Sequence, residues 1–170
     1  NNSVLNQNEQ SLSLRVYDKI NPQSGTNGLQ AGDSRAVFKN VEVDMRQYKN
    51  LKMYLHAESL RKTAADFPNG ENSPIQDNEM VAFMRFGNDF TNNYYEYQIP
   101  TELSKREKVI PDKPSVETWK VENELDLALA ALVELKKERN KQGKPLDREF
   151  SMADPDHPDR KMVVLGNPSL

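Results

Sequence analysis

The stretch MVAFMRFGNDFTNNYYEYQIP, Met80 to Pro100, decides the fold. Two apolar runs, Met80 to Phe86 and Tyr94 to Ile99, flank the polar segment Gly87 to Asn93. Turn formers between runs rich in aromatic and β-branched residues predict two antiparallel strands joined by a loop. In the first strand Met80, Ala82, Met84 and Phe86 share one face and Val81, Phe83 and Arg85 the other. In the second, Tyr95, Tyr97 and Ile99 alternate with Tyr94, Glu96 and Gln98. Neither strand has a fully polar face, which predicts central strands of a layered sheet.

Working outward, Ser11 to Tyr17 alternates as a half-buried strand, and Asp18 to Asp33 is a loop dense in Gly, Asn and Pro. A strand over Ser34 to Asn40, continuing through Val41 and Val43, precedes a helical turn capped by Asp44. Leu51 to Ala57 is another strand, and Ser59 to Asn78 is a long excursion. Thr101 to Pro114 is a charged boundary and Ser115 to Glu122 a further strand. Asp126 then caps a helix to Asn140, with Leu125, Leu129, Leu132, Val133 and Lys136 as its stripe and Gly143 and Pro145 as its stop. Leu146 to Asp159 is a proline-broken loop, and Lys161 to Leu165 a last strand. The expected fold is therefore mainly β: an antiparallel, jelly-roll-like β-sandwich with one appended helix over about 126–140 and long loops. Residues 1–10 read as a linker and 11–170 as a single domain or a fragment of one, with excursions over about 59–79 and 141–160.

Composition removes several functions. With 170 residues the chain can bury a core, and its net charge of −3 leaves no basic footprint for nucleic acid. Charged residues make up 29% and hydrophobic ones 36%, a balance that is polar without being that of a disordered chain. There is no cysteine, hence no disulfide, thiolate metal site or cysteine nucleophile. Neither a G-x-S-x-G turn nor a phosphate-cradling glycine motif occurs, and no pair of acids stands out, so no enzymatic activity and no cofactor are expected. No apolar run approaches the ~20 residues of a membrane helix. The first ten residues lack the features of a signal peptide.

Two clusters merit a binding reading. Tyr94, Arg85 and Phe83 share one sheet face, where an open ring could stack on a sugar or a peptide. The competing expectation is that a second layer, the Trp119 segment or the helix, covers them, with Arg85 and Glu96 paired across the strands. Asp154, Asp156, His157 and Asp159, in ADPDHPDR, could offer ligands to calcium. The glycine and terminal glutamate of an EF-hand loop are missing, so a solvated acidic loop and no metal are expected there. His56 is expected on a solvated sheet face.

The segment Asp89 to Pro100, with NNYYEYQIP, resembles the "dNYYEYeiP" stretch of the SprA/Sov family of very large outer-membrane translocons of type IX secretion and gliding motility. NEQSLSLRV (Asn8 to Val16), GDSRAVFKN (Gly32 to Asn40), DMRQYKNLKMYLHAES (Asp44 to Ser59), NELDL (Asn123 to Leu127) and LGNPSL (Leu165 to Leu170, the family's "GNPnL") agree in order. The resemblance implies an interior piece of a longer exported protein whose own signal lies elsewhere. It implies outer-membrane location, on the periplasmic or the surface side. The partners it implies are the rest of the barrel, a PorV-like shuttle protein, a periplasmic plug protein and secreted cargo. The expected function is a non-enzymatic insertion or cap of such a translocon. The other function expected from the residues is a carbohydrate-binding sandwich module of a surface protein.

Overall fold

The computed structural model describes residues 12–16, 28–40, 43–59, 75–104 and 119–170. The chain divides into two units, Asn1–Glu42 and Val43–Leu170. In the first, Gln30 to Asp33 forms a tight turn: the Asp33 N–H donates to the Gln30 carbonyl at 3.0 Å and the Gln30 N–H to Asp33 Oδ2 at 3.1 Å. Gly32 supplies the positive φ of +87° that the turn needs. The strands expected over Ser11 to Tyr17 and Ser34 to Asn40 are corrected here. Leu12 to Val16 and Ser34 to Asn40 form no strand, and Leu12, Leu14, Val37 and Phe38 are exposed. Alternation specifies which face a strand would bury, but a strand also needs a ladder with a neighbouring backbone, and the described residues of these two segments form none. The expected linker 1–10 and most of the excursion after Ser59 lie outside the described residues.

In the second unit, Asp44 caps a single 3-10 turn, Met45–Gln47, accepting from the Arg46 N–H as its position predicts. Six strands follow: β1 (Asn50–Tyr54), β2 (Val81–Gly87), β3 (Tyr94–Pro100), β4 (Glu124–Ala128), β5 (Phe150–Ala153) and β6 (Lys161–Leu165). One helix, α1 (Leu129–Lys141), lies between β4 and β5. The strands form two antiparallel sheets, β1-β4 and β2-β3-β6-β5, and close no barrel among the described residues. The chain is thus mainly β, with antiparallel pairing throughout the two sheets.

The hairpin pairs in the register that its alternation dictates, with Phe86 opposite Tyr95 and Met84 opposite Tyr97. β6 continues the same face, placing Val164 beside Tyr95 and Met162 beside Tyr97. Those residues join Leu125 and Leu127 of β4 and Leu129, Leu132 and Leu135 of α1 in one hydrophobic core. Each fully buried leucine contributes about 1.5–3 kcal/mol, so the helix is a wall of the core. β3 is central and almost wholly buried; β2, expected to be central, is an edge strand with β3 as its one partner among the described residues. Its outer face is compatible with an edge because a part-buried ion pair and a loop, described below, occupy it.

Three further boundaries differ from expectation. Glu124 to Ala128 is strand, so Asp126 caps nothing and instead pairs with Lys52 across the sheet at 2.8 Å. The helix begins at Leu129 behind Ala128, whose side chain cannot cap it; the Leu129 N–H donates to the Lys49 carbonyl at 2.9 Å. The buried stripe is Leu129, Leu132, Leu135 and Arg139, whereas Val133 is exposed. The helix stops as predicted: Gly143 has φ +63°, its N–H reaches the Asn140 carbonyl at 3.1 Å, and the Lys144 N–H reaches the Arg139 carbonyl at 3.1 Å, a Schellman closure. Phe150–Ala153, expected to be loop, pairs with β6. Of the strand expected over Ser115 to Glu122, the described end is Trp119 and Lys120 followed by a 3-10 turn, Val121–Asn123.

Candidate functional site

The hairpin loop between β2 and β3 is built around one carboxylate. Asp89 Oδ1 accepts from the N–H groups of Thr91 at 2.9 Å, Asn92, and Asn93 at 3.1 Å, while Oδ2 accepts from Asn93 Nδ2 at 2.9 Å. These donors stabilise the charged form. The Asn93 amide, then the Asn92 and Thr91 N–H groups, hold the Asp89 carboxyl well below the usual carboxylate range. Asn93 in turn accepts at its carbonyl from the Asn88 and Asp89 N–H groups, closing the loop.

The same loop receives the far end of the chain. Asn93 Oδ1 accepts from the Asn167 N–H at 2.9 Å, and Asn88 Oδ1 accepts from the Ser169 N–H at 2.9 Å and from its hydroxyl at 3.2 Å. Gly166, at φ +66°, lies so close that a Cβ there would stand 2.0 Å from the Asn92 carbonyl oxygen and 2.5 Å from Asn93 Oδ1. Helix α1 holds the segment from its other side. Arg139, fully buried, donates from Nη1 to the Gly166 carbonyl, and Lys136 donates from Nζ to the Pro168 carbonyl at 2.8 Å. The NNYYEY and LGNPSL segments, more than seventy residues apart, are therefore one junction.

On the sheet face opposite the core, the residues singled out from sequence do meet. The Arg85 guanidinium stands 3.7 Å from the centre of the Tyr94 ring and 5.9 Å from that of Phe83. It pairs with Glu96 at 2.6 Å and donates to the Phe90 carbonyl at 2.6 Å. Glu96 also accepts from Gln98 at 2.6 Å, and the Tyr94 hydroxyl donates to Glu149 at 2.7 Å. Tyr94 is buried, with Arg85 against its ring, and burial followed by its bond to Glu149 pushes its hydroxyl up to about 12. Helix α1 does not supply this cover, since it packs on the core face. Trp119 lies exposed elsewhere, edge-on to Tyr54 at 6.2 Å and to His56 at 5.9 Å. Replacing Arg85 by alanine leaves the Glu96 carboxylate buried with Gln98 alone. We expect a loss of about 2–3 kcal/mol, read from the urea midpoint, at the lower side of a fully buried pair because Arg85 is partly exposed.

The ADPDHPDR segment connects β5 to β6, and sequence reasoning missed its partner, Tyr97. Asp154 turns inward: Oδ2 accepts from the Tyr97 hydroxyl and lies 3.2 Å from His157 Nδ1, while Oδ1 accepts from the Asp156 N–H at 3.0 Å. Asp156 contributes backbone only to that carboxylate, Asp156 and Asp159 are exposed, and no three metal-ligating side chains cluster among the described residues. Burial pushes the Asp154 carboxyl up, but the bonds from Tyr97, the Asp156 N–H and His157 outweigh it, and its pKa is lowered. Asp89 and Asp154 thus both have folded pKa values below their unfolded ones. Their stabilisation is fully present above the ordinary aspartate value of about 3.9 and fades as pH falls through the folded values. The melting temperature should accordingly drop below about pH 4, and Asp89→Asn should flatten that drop; a wild-type profile unchanged down to pH 2 would contradict the assignment.

Fold and contacts together define a mainly antiparallel β module in which sequence-distant motifs are bonded to one another. Over residues 1–170 the sequence matches the SprA_N family model, described as motility related/secretion protein, and the chain belongs to that family. Comparison with curated proteins gives no match.

Proposed function

We propose that this chain is a structural, non-enzymatic module of a SprA-type translocon of type IX secretion, an insertion or cap that shapes the export route at the outer membrane. The observation that carries this reading is the junction of Asn88 and Asn93, the latter held by Asp89, with Gly166 to Ser169. The side chains of Asn88, Asp89 and Asn93 satisfy backbone N–H groups of this chain, which is the use expected of residues that build a rigid scaffold. By family membership, the rest of the barrel, a PorV-like shuttle protein, a plug protein on the periplasmic side and the cargo are the proposed partners, and the action on them is steric. Deleting residues 43–170 from the SprA-type protein should stop cargo export and gliding while the protein still accumulates in the outer membrane, followed by immunoblot. Export at the wild-type level would overturn the proposal.

The carbohydrate reading keeps one favourable observation, the exposed rings of Tyr54 and Trp119. Glycan binding to the chain that disappears in Trp119→Ala would favour it, whereas Tyr94 is buried beneath Arg85.

A further inference from the structure

The outer face of the β1-β4 sheet carries an exposed aromatic corner. Alternation along β1 turns Leu51 and Met53 toward the core and Asn50, Lys52 and Tyr54 outward. Trp119, just ahead of the 3-10 turn that leads into β4, lies edge-on to Tyr54, with ring centres 6.2 Å apart and planes at 72°. Tyr54 is 65% exposed and Trp119 54%, so much of each ring faces solvent. His56, also edge-on to the indole at 5.9 Å, lies 4.0 Å from Glu58.

The charges around this corner are unequal. Register places Glu124 of β4 directly opposite Tyr54, on the same face. Lys52 bonds Asp126 at 2.8 Å and feels the Glu124 charge without bonding it. Lys120, next to Trp119, is paired with Glu102 at 2.9 Å. Each lysine here therefore has its own carboxylate, and Glu124 has no ion pair or hydrogen bond among the described residues. The other sheet shows how this chain fills such a pair: Arg85 stacks on the Tyr94 ring at 3.7 Å and pairs with Glu96 at 2.6 Å. Tyr54 and Glu124 offer the same phenol ring and glutamate on one face, with an indole added and no arginine upon them among the described residues.

We infer that this corner docks a partner polypeptide through an arginine side chain, whose guanidinium lies against Tyr54 and Trp119 and donates to Glu124. A guanidinium is planar and weakly hydrated, and its N–H groups suit a carboxylate, so one side chain uses ring and charge together. The net charge of −3 favours the approach of a cationic partner. A sugar is the poorer match. Two rings at 72° make no single flat platform, and the carboxylate beside them only accepts hydrogen bonds. The inference goes beyond the proposed function: it concerns a contact of the module and holds whichever export system contains it.

The chain has a single tryptophan, so its indole N–H gives one nuclear magnetic resonance signal that reports on the corner. The test is a titration of the 170-residue chain with acetyl-Gly-Arg-Gly-amide, with the same peptide carrying citrulline, which keeps the shape and loses the charge, and with cellohexaose. The arginine peptide should shift the Trp119 indole signal and the backbone amides of Tyr54 and Glu124. The citrulline peptide should bind more weakly by about fivefold or more, since it loses both the ring and the carboxylate attraction. Glu124→Gln and Tyr54→Ala should each weaken the arginine peptide about threefold at an unchanged melting temperature, because neither side chain is buried. Two variants on different strands keep the outcome from hanging on the folding of one. Equal binding of the arginine and citrulline peptides, shifts confined to other parts of the chain, or binding that both variants leave intact would overturn the inference. So would a Trp119 signal that answers to cellohexaose alone, which would favour the carbohydrate reading instead.

Discussion

Gly166→Val should lower the melting temperature by roughly 6–12 °C. The residue occupies φ +66°, where a β-branched side chain is strained, and its Cβ would overlap the Asn92 carbonyl oxygen at 2.0 Å. That oxygen belongs to backbone in a loop held by Asp89, so the neighbour cannot swing aside as a flexible side chain would. Strain of about 1–2 kcal/mol and overpacking of about 1–3 kcal/mol give a loss near 3 kcal/mol. A domain of this size moves about 2–4 °C per kcal/mol. The Asn167 and Ser169 N–H groups should lose their protection from hydrogen exchange in the same variant, because their acceptors lie across the displaced contact. A melting temperature within 2 °C of the wild type would show that the segment does not pack as described.

Arg139→Ala is the second large effect, at about 3–4 kcal/mol. The side chain is fully buried and supplies a donor to the buried Gly166 carbonyl. Truncation leaves that carbonyl without its partner, at about 1–3 kcal/mol, and adds a cavity where the aliphatic stem was packed. Arg139→Met separates the two contributions. It refills the volume and removes a desolvated charge, so its cost should fall to about 1–2 kcal/mol. Burial already pushes the Arg139 pKa downward, which is the same desolvation seen from the proton's side. Denaturant midpoints for the two variants check this ordering, and a methionine variant as unstable as the alanine one would contradict it.

These residues also mark what could be read from sequence and what could not. The hairpin was legible because alternation, turn residues and aromatic content agree, and its register followed from the faces alone. β6 was legible for the same reason. The helix start was displaced because Leu125, Leu129 and Leu132 satisfy a helical spacing while Leu125 and Leu127 equally satisfy a strand's, and Ala128 offers no polar cap to decide between them. Arg139 did carry a signal: it continues the Leu129, Leu132, Leu135 stripe by four residues, which places it on the buried face. β5 carried little, being four residues in a proline-rich stretch whose pairing depends on β6. For the candidate site, the meeting of Arg85, Glu96 and Tyr94 was readable from register. The bonds from Asn93 to Asn167 and from Tyr97 to Asp154 were not, because they link segments whose proximity only the folded sheets create.

A passive scaffold has one measurable signature: export should follow folding. Cargo secretion by the complete SprA-type protein is best measured across Gly166→Val, Arg139→Ala, Arg85→Ala, Tyr97→Phe and Asp89→Asn, beside the melting temperature of each variant chain. The predicted result is a single curve, with secretion near the wild-type level wherever the melting temperature is kept and falling only as it falls. A variant such as Tyr97→Phe that melts like the wild type yet abolishes secretion would contradict the account, because it would assign that hydroxyl a task beyond holding Asp154.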